Sequence, residues 1–167
     1  MFTVTDIYGN DNSDNNAFHP DRTLPATVYN SGAKIAAWEM VAGELLNIGF
    51  ALPASYQTGA PITVEAHCLI NASGTNSGLV TIQCRGDFRE DQATWGNSVA
   101  HEQTVTTSRT LTQPNATNSV RHYRFDFSLS GVSVNPKDWA FLTFERTGTG
   151  FSGVVYLAAV TLRYSVQ

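Results

Sequence analysis

Lysine is almost missing from this sequence, since Lys34 and Lys137 are the only two among 167 residues. Charged residues of all kinds make up 14% of the chain, against the roughly 25% usual in soluble domains, and the formal net charge is −4. No stretch clusters Lys and Arg, so the composition argues against a nucleic-acid partner. Asn, Thr, Ser and Gly supply the polarity instead, which suits a protein packed against other proteins and equally a plain secreted β-domain.

Long apolar runs and targeting signals are also missing. No run of eighteen apolar residues occurs, which predicts that the chain has no membrane span. The first ten residues, MFTVTDIYGN, contain neither a basic region nor an apolar stretch of the kind found in a Sec-type signal peptide. We therefore expect a soluble protein that is made in a cytoplasm.

Cysteine occurs twice, as Cys68 and Cys84, and alternation places both on the apolar faces of strands. If these strands form a hairpin through ASGTNSG, Cys68 lies nearly opposite Ile82 and Cys84 nearly opposite Ala66. The two sulfurs are then diagonal neighbours, one step out of register for a cross-strand disulfide. The sequence predicts two buried free thiols in a reduced protein.

Recognisable catalytic motifs are absent: there is no nucleophile elbow, P-loop or dinucleotide fingerprint. None of the four histidines stands at metal-ligand spacing with another. The carboxylates of GDFREDQ alternate with Arg85 and Arg89, which neutralise them rather than prepare an acid catalyst. For GNDNSDNN a solvated loop is the preferred interpretation over a calcium loop, because the EF-type spacing is missing. We expect no enzyme activity, cofactor or metal.

Alternation of apolar and polar residues dominates what is present. AKIAAWEMV and ELLNIGFAL are interpreted as a hairpin around Ala42–Gly43, although a helix over 33–46 is the rival. The segments PITVEAHCLIN, GLVTIQCRGDF, VRHYRFDFSLSG, WAFLTFER and the closing SGVVYLAAVTLRYSVQ also alternate. We expect one all-β domain over 1–167, a jelly-roll-like antiparallel β-sandwich of eight to ten strands, with a polar arm at about 10–25. In such a fold the closing strand lies inside a sheet, with Tyr156 on its inner face.

Exposed aromatic residues are the remaining candidates for a binding site. Trp38 and Trp139 lie inside strand patterns and are predicted to be core residues. Trp95, between Thr94 and Gly96, is predicted to be exposed on a loop, and a glycan-binding surface would combine it with Tyr56 and Phe151.

The C-terminal third combines an aromatic strand, a Pro/Asp turn, an apolar strand ending in Arg, a glycine-rich loop and the ending Gly-x-x-Tyr-Leu-x-x-Val-x-Leu-x-Tyr. These positions are Phe127, Pro136, Asp138, Arg146, Gly153, Tyr156, Leu157, Val160, Leu162 and Tyr164. Together with FALPASYQTGAPITVEAH, the pattern resembles small jelly-roll virion proteins of tailed bacteriophages over about 44–70 and 120–166. The acidic Asp-x-x-Asp often seen in that group before the last strand is GTGFSG here, so the resemblance implies no cation or ligand role for this loop.

The resemblance implies a capsid decoration (cement) subunit on the outside of a virion. Its partners would be the major capsid protein and two further copies of itself in a homotrimer. The polar arm would then drape over a neighbouring subunit through Phe18, His19, Pro20 and Arg22, ordering as it binds. The alternative is a carbohydrate-binding or adhesin module of a tail fibre, with Trp95, Tyr56 and Phe151 as glycan contacts.

Overall fold

The computed structural model describes residues 2–4, 8–10, 26–30, 33–71, 75–90, 102–116, 119–131 and 134–167. These residues form strands and turns, with no helix among them. In chain order the strands are β1 (Phe2–Val4), β2 (Tyr8–Asn10), β3 (Ala26–Asn30), β4 (Ala33–Glu39), β5 (Leu45–Ala51), β6 (Gly59–Asn71), β7 (Ser77–Arg89), β8 (Glu102–Thr112), β9 (Val120–Gly131), β10 (Trp139–Arg146) and β11 (Tyr156–Arg163). The all-β prediction is confirmed, and 33–46 contains strand rather than the rival helix.

Two antiparallel sheets form a sandwich. One runs β3-β4-β11-β6-β9, with β1 also paired to β11, and the other runs β2-β5-β10-β7-β8. From β4 to β11 the chain changes sheet at every connection except β7 to β8. The four-stranded orders β4-β11-β6-β9 and β5-β10-β7-β8 are those of a double-sheet jelly roll, so that prediction is also confirmed.

Two hairpins expected from the sequence are not formed. β4 and β5 lie in different sheets, because the chain turns away at Gly43, whose φ of 83° suits glycine, and the Gly43 amide donates to the Arg146 carbonyl. β6 and β7 also lie in different sheets. Cys68 is paired in register with Leu157 and Tyr123, and Cys84 with Phe144 and Val105, rather than as diagonal neighbours of each other.

The closing strand β11 lies inside its sheet, as predicted, with β6 on one side and β4 and β1 on the other. Its alternation is interrupted, however, by a register shift between Leu157 and Ala159. Such an irregularity turns the preceding residues to the opposite face. Leu157 is therefore fully buried in the main core, whereas Tyr156 packs on the outer side of the sheet against a small cluster around Leu69. The prediction that Tyr156 shares the inner face was wrong.

The inner faces of the two sheets supply one main hydrophobic core. The largest fully buried side chains include Phe88, Phe125, Phe127, Phe144, Ile62 and Ile82. The rings of Phe127 and Phe144, from opposite sheets, meet edge to face with centroids 6.1 Å apart. Trp38 packs against this core, as predicted.

Edge strands β8 and β9 are bridged by side chains. Gln103 Nε2 donates to the Ser130 carbonyl, and the Ser130 amide donates back to Gln103 Oε1, both over 2.6 Å. Thr107 Oγ1 donates to the Asp126 carbonyl over 2.9 Å. These bonds satisfy edge carbonyls of β9, which reduces that strand's capacity to pair with another chain.

Candidate functional site

The outer face of the β5-β10-β7-β8 sheet carries a concentration of aromatic and polar side chains. In antiparallel pairs, residues in register share a face. Since Ala140, Leu142 and Phe144 point into the core, the alternate residues of β10 point outward. Trp139, Phe141 and Thr143, their register partners on β5 and β7, and Glu102, which is in register with Asp87, form what we call the aromatic face. Its residues are Asn47, Gly49, Ala51, Arg85, Asp87, Arg89, Glu102, Trp139, Phe141 and Thr143.

Trp139 and Phe141 are the aromatic centre of this face. Trp139 is 45% exposed, so the prediction that it is a core residue was wrong. The two ring centroids lie 6.3 Å apart with 31° between the ring planes. Opposite Phe141 stands Gly49, where an added Cβ would lie 3.2 Å from the Phe141 ring. A glycine at this position leaves room for the Phe141 ring to lie over the neighbouring strand.

Polar groups flank the two rings. Thr143 Oγ1 donates to Asn47 Oδ1 over 2.7 Å, one row along from Phe141. Asp87 is in register with Phe141 and pairs with Arg89, whose Nε lies 2.9 Å from Asp87 Oδ1. These contacts hold the polar side chains in defined positions around the rings, an arrangement that can orient a ligand seated on them.

The next row of the face carries a second ion pair. Arg85 Nε lies 3.1 Å from Glu102 Oε1, joining β7 to β8 on the outer side. The predicted neutralisation of carboxylates by arginines along GDFREDQ is therefore found for Asp87 with Arg89, whereas Arg85 takes its partner from β8.

The aromatic residues predicted as glycan contacts are placed differently. Tyr56 and Phe151 are buried at 0% and 1% exposure, so the expectation that they are exposed was wrong. Tyr56 donates its hydroxyl to the Ala60 carbonyl and packs edge to face on Tyr164, 6.1 Å away. The carbonyls of Phe151 and Gly153 accept from the Arg146 guanidinium, which holds their loop against the sandwich. Trp95 lies outside the described residues, as do Phe18, His19, Pro20 and Arg22 of the polar arm.

The sequence contained a signal for Trp139 that was missed. In WAFLTFER, Trp139 has the same phase as Phe141, Thr143 and Glu145, while Ala140 has the phase of Leu142 and Phe144. Two of the three phase partners of Trp139 are polar, which indicates the outer face. The prediction followed from the place of Trp139 inside a strand pattern rather than from its phase in that strand.

The outer face of the other sheet carries a charged network. Glu65 is 3% exposed and accepts from Arg163, 2.9 Å away, and from Arg124, 3.4 Å away. Beside it, Nδ1 of His67 lies 3.0 Å from Nε2 of His122, and Nε2 of His67 lies 3.0 Å from Thr161 Oγ1. Both histidines lie on the outer face of this sheet, and they contact each other across β6 and β9.

Within the described ranges, no group of three or more His, Cys, Asp or Glu side chains is arranged to hold a metal ion. The same ranges contain no helix with the length and hydropathy needed to cross a membrane. Cys68 and Cys84 are buried and unpaired with each other, as predicted.

No protein-family model matches the chain, and no curated protein matches it either. Among solved structures, the chain is similar to CBM28, a carbohydrate-binding module specific for non-crystalline cellulose, at 11% identity and a TM-score of 0.48, covering 83% of this chain and 79% of that one. It is also similar to Xyl-CBM35, solved with a disaccharide containing glucuronic acid, at 12% identity, a TM-score of 0.44, and 100% and 99% coverage. The xylan-binding module CBM15 gives 10% identity, a TM-score of 0.44, and 98% and 99% coverage. Likeness at this level says nothing about what this chain binds.

Proposed function

We propose that the protein is a non-catalytic carbohydrate-binding module whose ligand lies on the aromatic face. The observation that carries this proposal is the exposed indole of Trp139 beside Phe141, on a sheet face whose other side chains are mostly polar. Exposing so large an apolar ring to water costs free energy unless a partner covers it.

A sugar ring matches these two kinds of contact. One face of a pyranose presents C–H groups that pack on an aromatic ring, while its hydroxyls point outward around the rim. On the aromatic face, the Asn47 amide, the Thr143 hydroxyl and the Asp87 carboxylate are placed around the rings to exchange hydrogen bonds with such hydroxyls. A few placed polar groups around an apolar surface are typical of small-ligand recognition.

The capsid-decoration interpretation rests on the resemblance and on the polar arm outside the described residues. Nothing in the described surface favours a capsid partner or a trimer, so these stay predictions. The jelly-roll fold itself is compatible with both functions, because one fold supports many unrelated sites.

A glycan array probed with the purified full chain tests the proposal. We expect retention on one class of polysaccharide, and a loss of about tenfold or more in affinity, equivalent to about 1.4 kcal/mol, in Trp139→Ala. Leu79→Ala is the matched control, because Leu79 is also exposed and on the outer side of β7 but lies far along the strand from the Trp139 row. This control should bind like the wild type.

Absence of binding to every glycan, together with attachment of the chain to phage particles, would replace this proposal with capsid decoration. Equal losses in Trp139→Ala and Leu79→Ala would also contradict the placement of the ligand.

A further inference from the structure

Building on the proposed function, we infer that the ligand is an uncharged polysaccharide whose chain runs along β10, with successive sugar units on Trp139 and Phe141. Two independent features of the aromatic face lead to this conclusion: the pairing of its charges and the placement of its two rings.

The basic side chains of the face are already neutralised within it. Arg89 contacts Asp87 through two atoms, at 2.9 Å and 3.3 Å, and Arg85 contacts Glu102 at 3.1 Å. An anionic glycan such as a polyuronate or a sulfated chain would have to compete with these carboxylates for an arginine of the face. The negative charges of such a glycan would also lie close to the carboxylate of the pair, which repels them. A neutral glycan meets no such cost, because it needs only hydrogen bonds.

Among the described residues, one further cation lies in the turn next to the Trp139 end of the aromatic face. Lys137 is exposed in the turn two residues before Trp139, with a φ of 70°. It stands outside the rows formed by β5, β10 and β7. If an acidic glycan were the ligand, Lys137 would be the residue best able to recruit it, which makes Lys137 the decisive variant for the charge of the ligand.

The direction of the bound glycan follows from the spacing of the two aromatic rings. Trp139 and Phe141 are two residues apart on one strand, where the backbone advances about 6.6–6.8 Å, and their centroids are 6.3 Å apart. Contact with both rings therefore requires the glycan axis to be parallel to β10. Beyond Phe141, the outward-facing residues of β10 are Thr143 and Glu145, which are half-buried polar residues.

The angle between the rings adds a restriction on ligand shape. Two aromatic rings whose planes are inclined by 31° cannot both lie flat on the planar surface of a crystalline polysaccharide. They fit two neighbouring sugars that are rotated relative to each other, as in a single hydrated chain. We therefore expect binding to soluble polysaccharide and weak binding to crystalline material.

Affinity gel electrophoresis of the full chain tests the charge of the ligand. Gels would contain a soluble neutral glucan, xylan, mannan or galactan in one series, and a polyuronate or sulfated polysaccharide in the other. We expect retardation by a neutral polymer, unchanged when salt is raised from about 0.01 M to about 1 M, over which the Debye length falls from about 30 Å to about 3 Å. Lys137→Ala should be retarded like the wild type, and Trp139→Ala should migrate freely.

The length of the oligosaccharide tests the direction in which the glycan lies on the face. In titration calorimetry with oligosaccharides of the retained polymer, affinity should rise by about tenfold or more from one sugar unit to two. In Phe141→Ala that rise should disappear while the affinity for one unit stays within about twofold. An unchanged rise in Phe141→Ala would overturn the placement along β10.

The outcomes separate this inference from the proposed function. Retardation only by acidic polymers, weakened by salt and by Lys137→Ala, would overturn the inference and leave the carbohydrate-binding proposal standing. Retardation by no polymer of either series would overturn both.

Discussion

His67 and His122, 55 residues apart in the sequence, are joined by a contact of 3.0 Å between Nδ1 of His67 and Nε2 of His122. Their ring planes differ by 15°, with centroids 5.2 Å apart. A hydrogen bond between two imidazoles needs one nitrogen with a proton and one without. The pair can therefore share one proton across this contact, but full protonation of both rings places two N–H groups against each other.

The first prediction concerns the pH dependence of stability. Burial, then His67, then Arg109 and Arg124, lower the pKa of His122 below its ordinary value of 6.5. The unfolded chain thus takes up a proton at His122 at a higher pH than the folded protein does. The contribution of His122 to the free energy of unfolding is fully present above pH 6.5. It declines as the pH falls through that value towards the lower pKa of the folded state.

Urea unfolding between about pH 5.5 and pH 8 measures this effect, near the ordinary histidine pKa of about 6.5. Wild type should lose stability on the acid side, and His122→Gln should lose less, because Gln keeps a donor without titrating. Identical slopes in the two proteins would contradict the prediction.

The second prediction concerns the buried carboxylate of Glu65. Removing its charge in Glu65→Gln weakens its contacts with Arg163 and Arg124, and we expect a loss of about 1–2 kcal/mol in the free energy of unfolding. The loss stays below that of a fully buried pair because both arginines are about half exposed and screened by water.

Asp126→Asn is the matched control for Glu65→Gln. Asp126 also pairs with Arg124, at 2.9 Å, but its side chain is 49% exposed. An exposed pair contributes little, so the change should stay within about 0.5 kcal/mol. Denaturant titration of both variants is the measurement, and a larger loss in Asp126→Asn than in Glu65→Gln would reverse our ranking.

The third prediction is that truncation before Tyr156 abolishes folding. It removes Leu157, Val160 and Leu162, all fully buried, at about 1.5–3 kcal/mol each against a typical total of about 5–15 kcal/mol. It also removes the strand that hydrogen-bonds to β6, β4 and β1 at once. Circular dichroism and thermal melting of the truncated chain provide the measurement; a cooperative melt would show that β11 is dispensable.

The fourth prediction is that both thiols are present but slow to react in the native protein. Burial raises the pKa of Cys68 to about 12 and also raises the pKa of Cys84, so little of the reactive thiolate forms near neutral pH. After denaturation without reductant, labelling with a thiol reagent should count two groups. In the native protein, labelling for some minutes should count close to none. A denatured count of zero would reveal a disulfide.

Much of the secondary structure follows from local alternation. The strands over 120–131 and 139–146 agree with the predicted segments VRHYRFDFSLSG and WAFLTFER. A period of two specifies which side chains share a face, and where the backbone stays regular it does so without reference to any partner. It fails at Tyr156, because the irregularity after Leu157 depends on the register of β11 against β6.

The sequence by itself therefore determined the strand class and the inward phase of Cys68 and Cys84, since these depend on the order of neighbouring side chains. Partner choice was decided only in the tertiary structure, because alternation carries no information on which strand lies alongside. Packing two sheets face to face separated β4 from β5 and β6 from β7. Strand pairing within each sheet brought His67 to His122 and set Trp139 opposite Arg89 and Phe141 opposite Asp87, and no local pattern encodes these pairings.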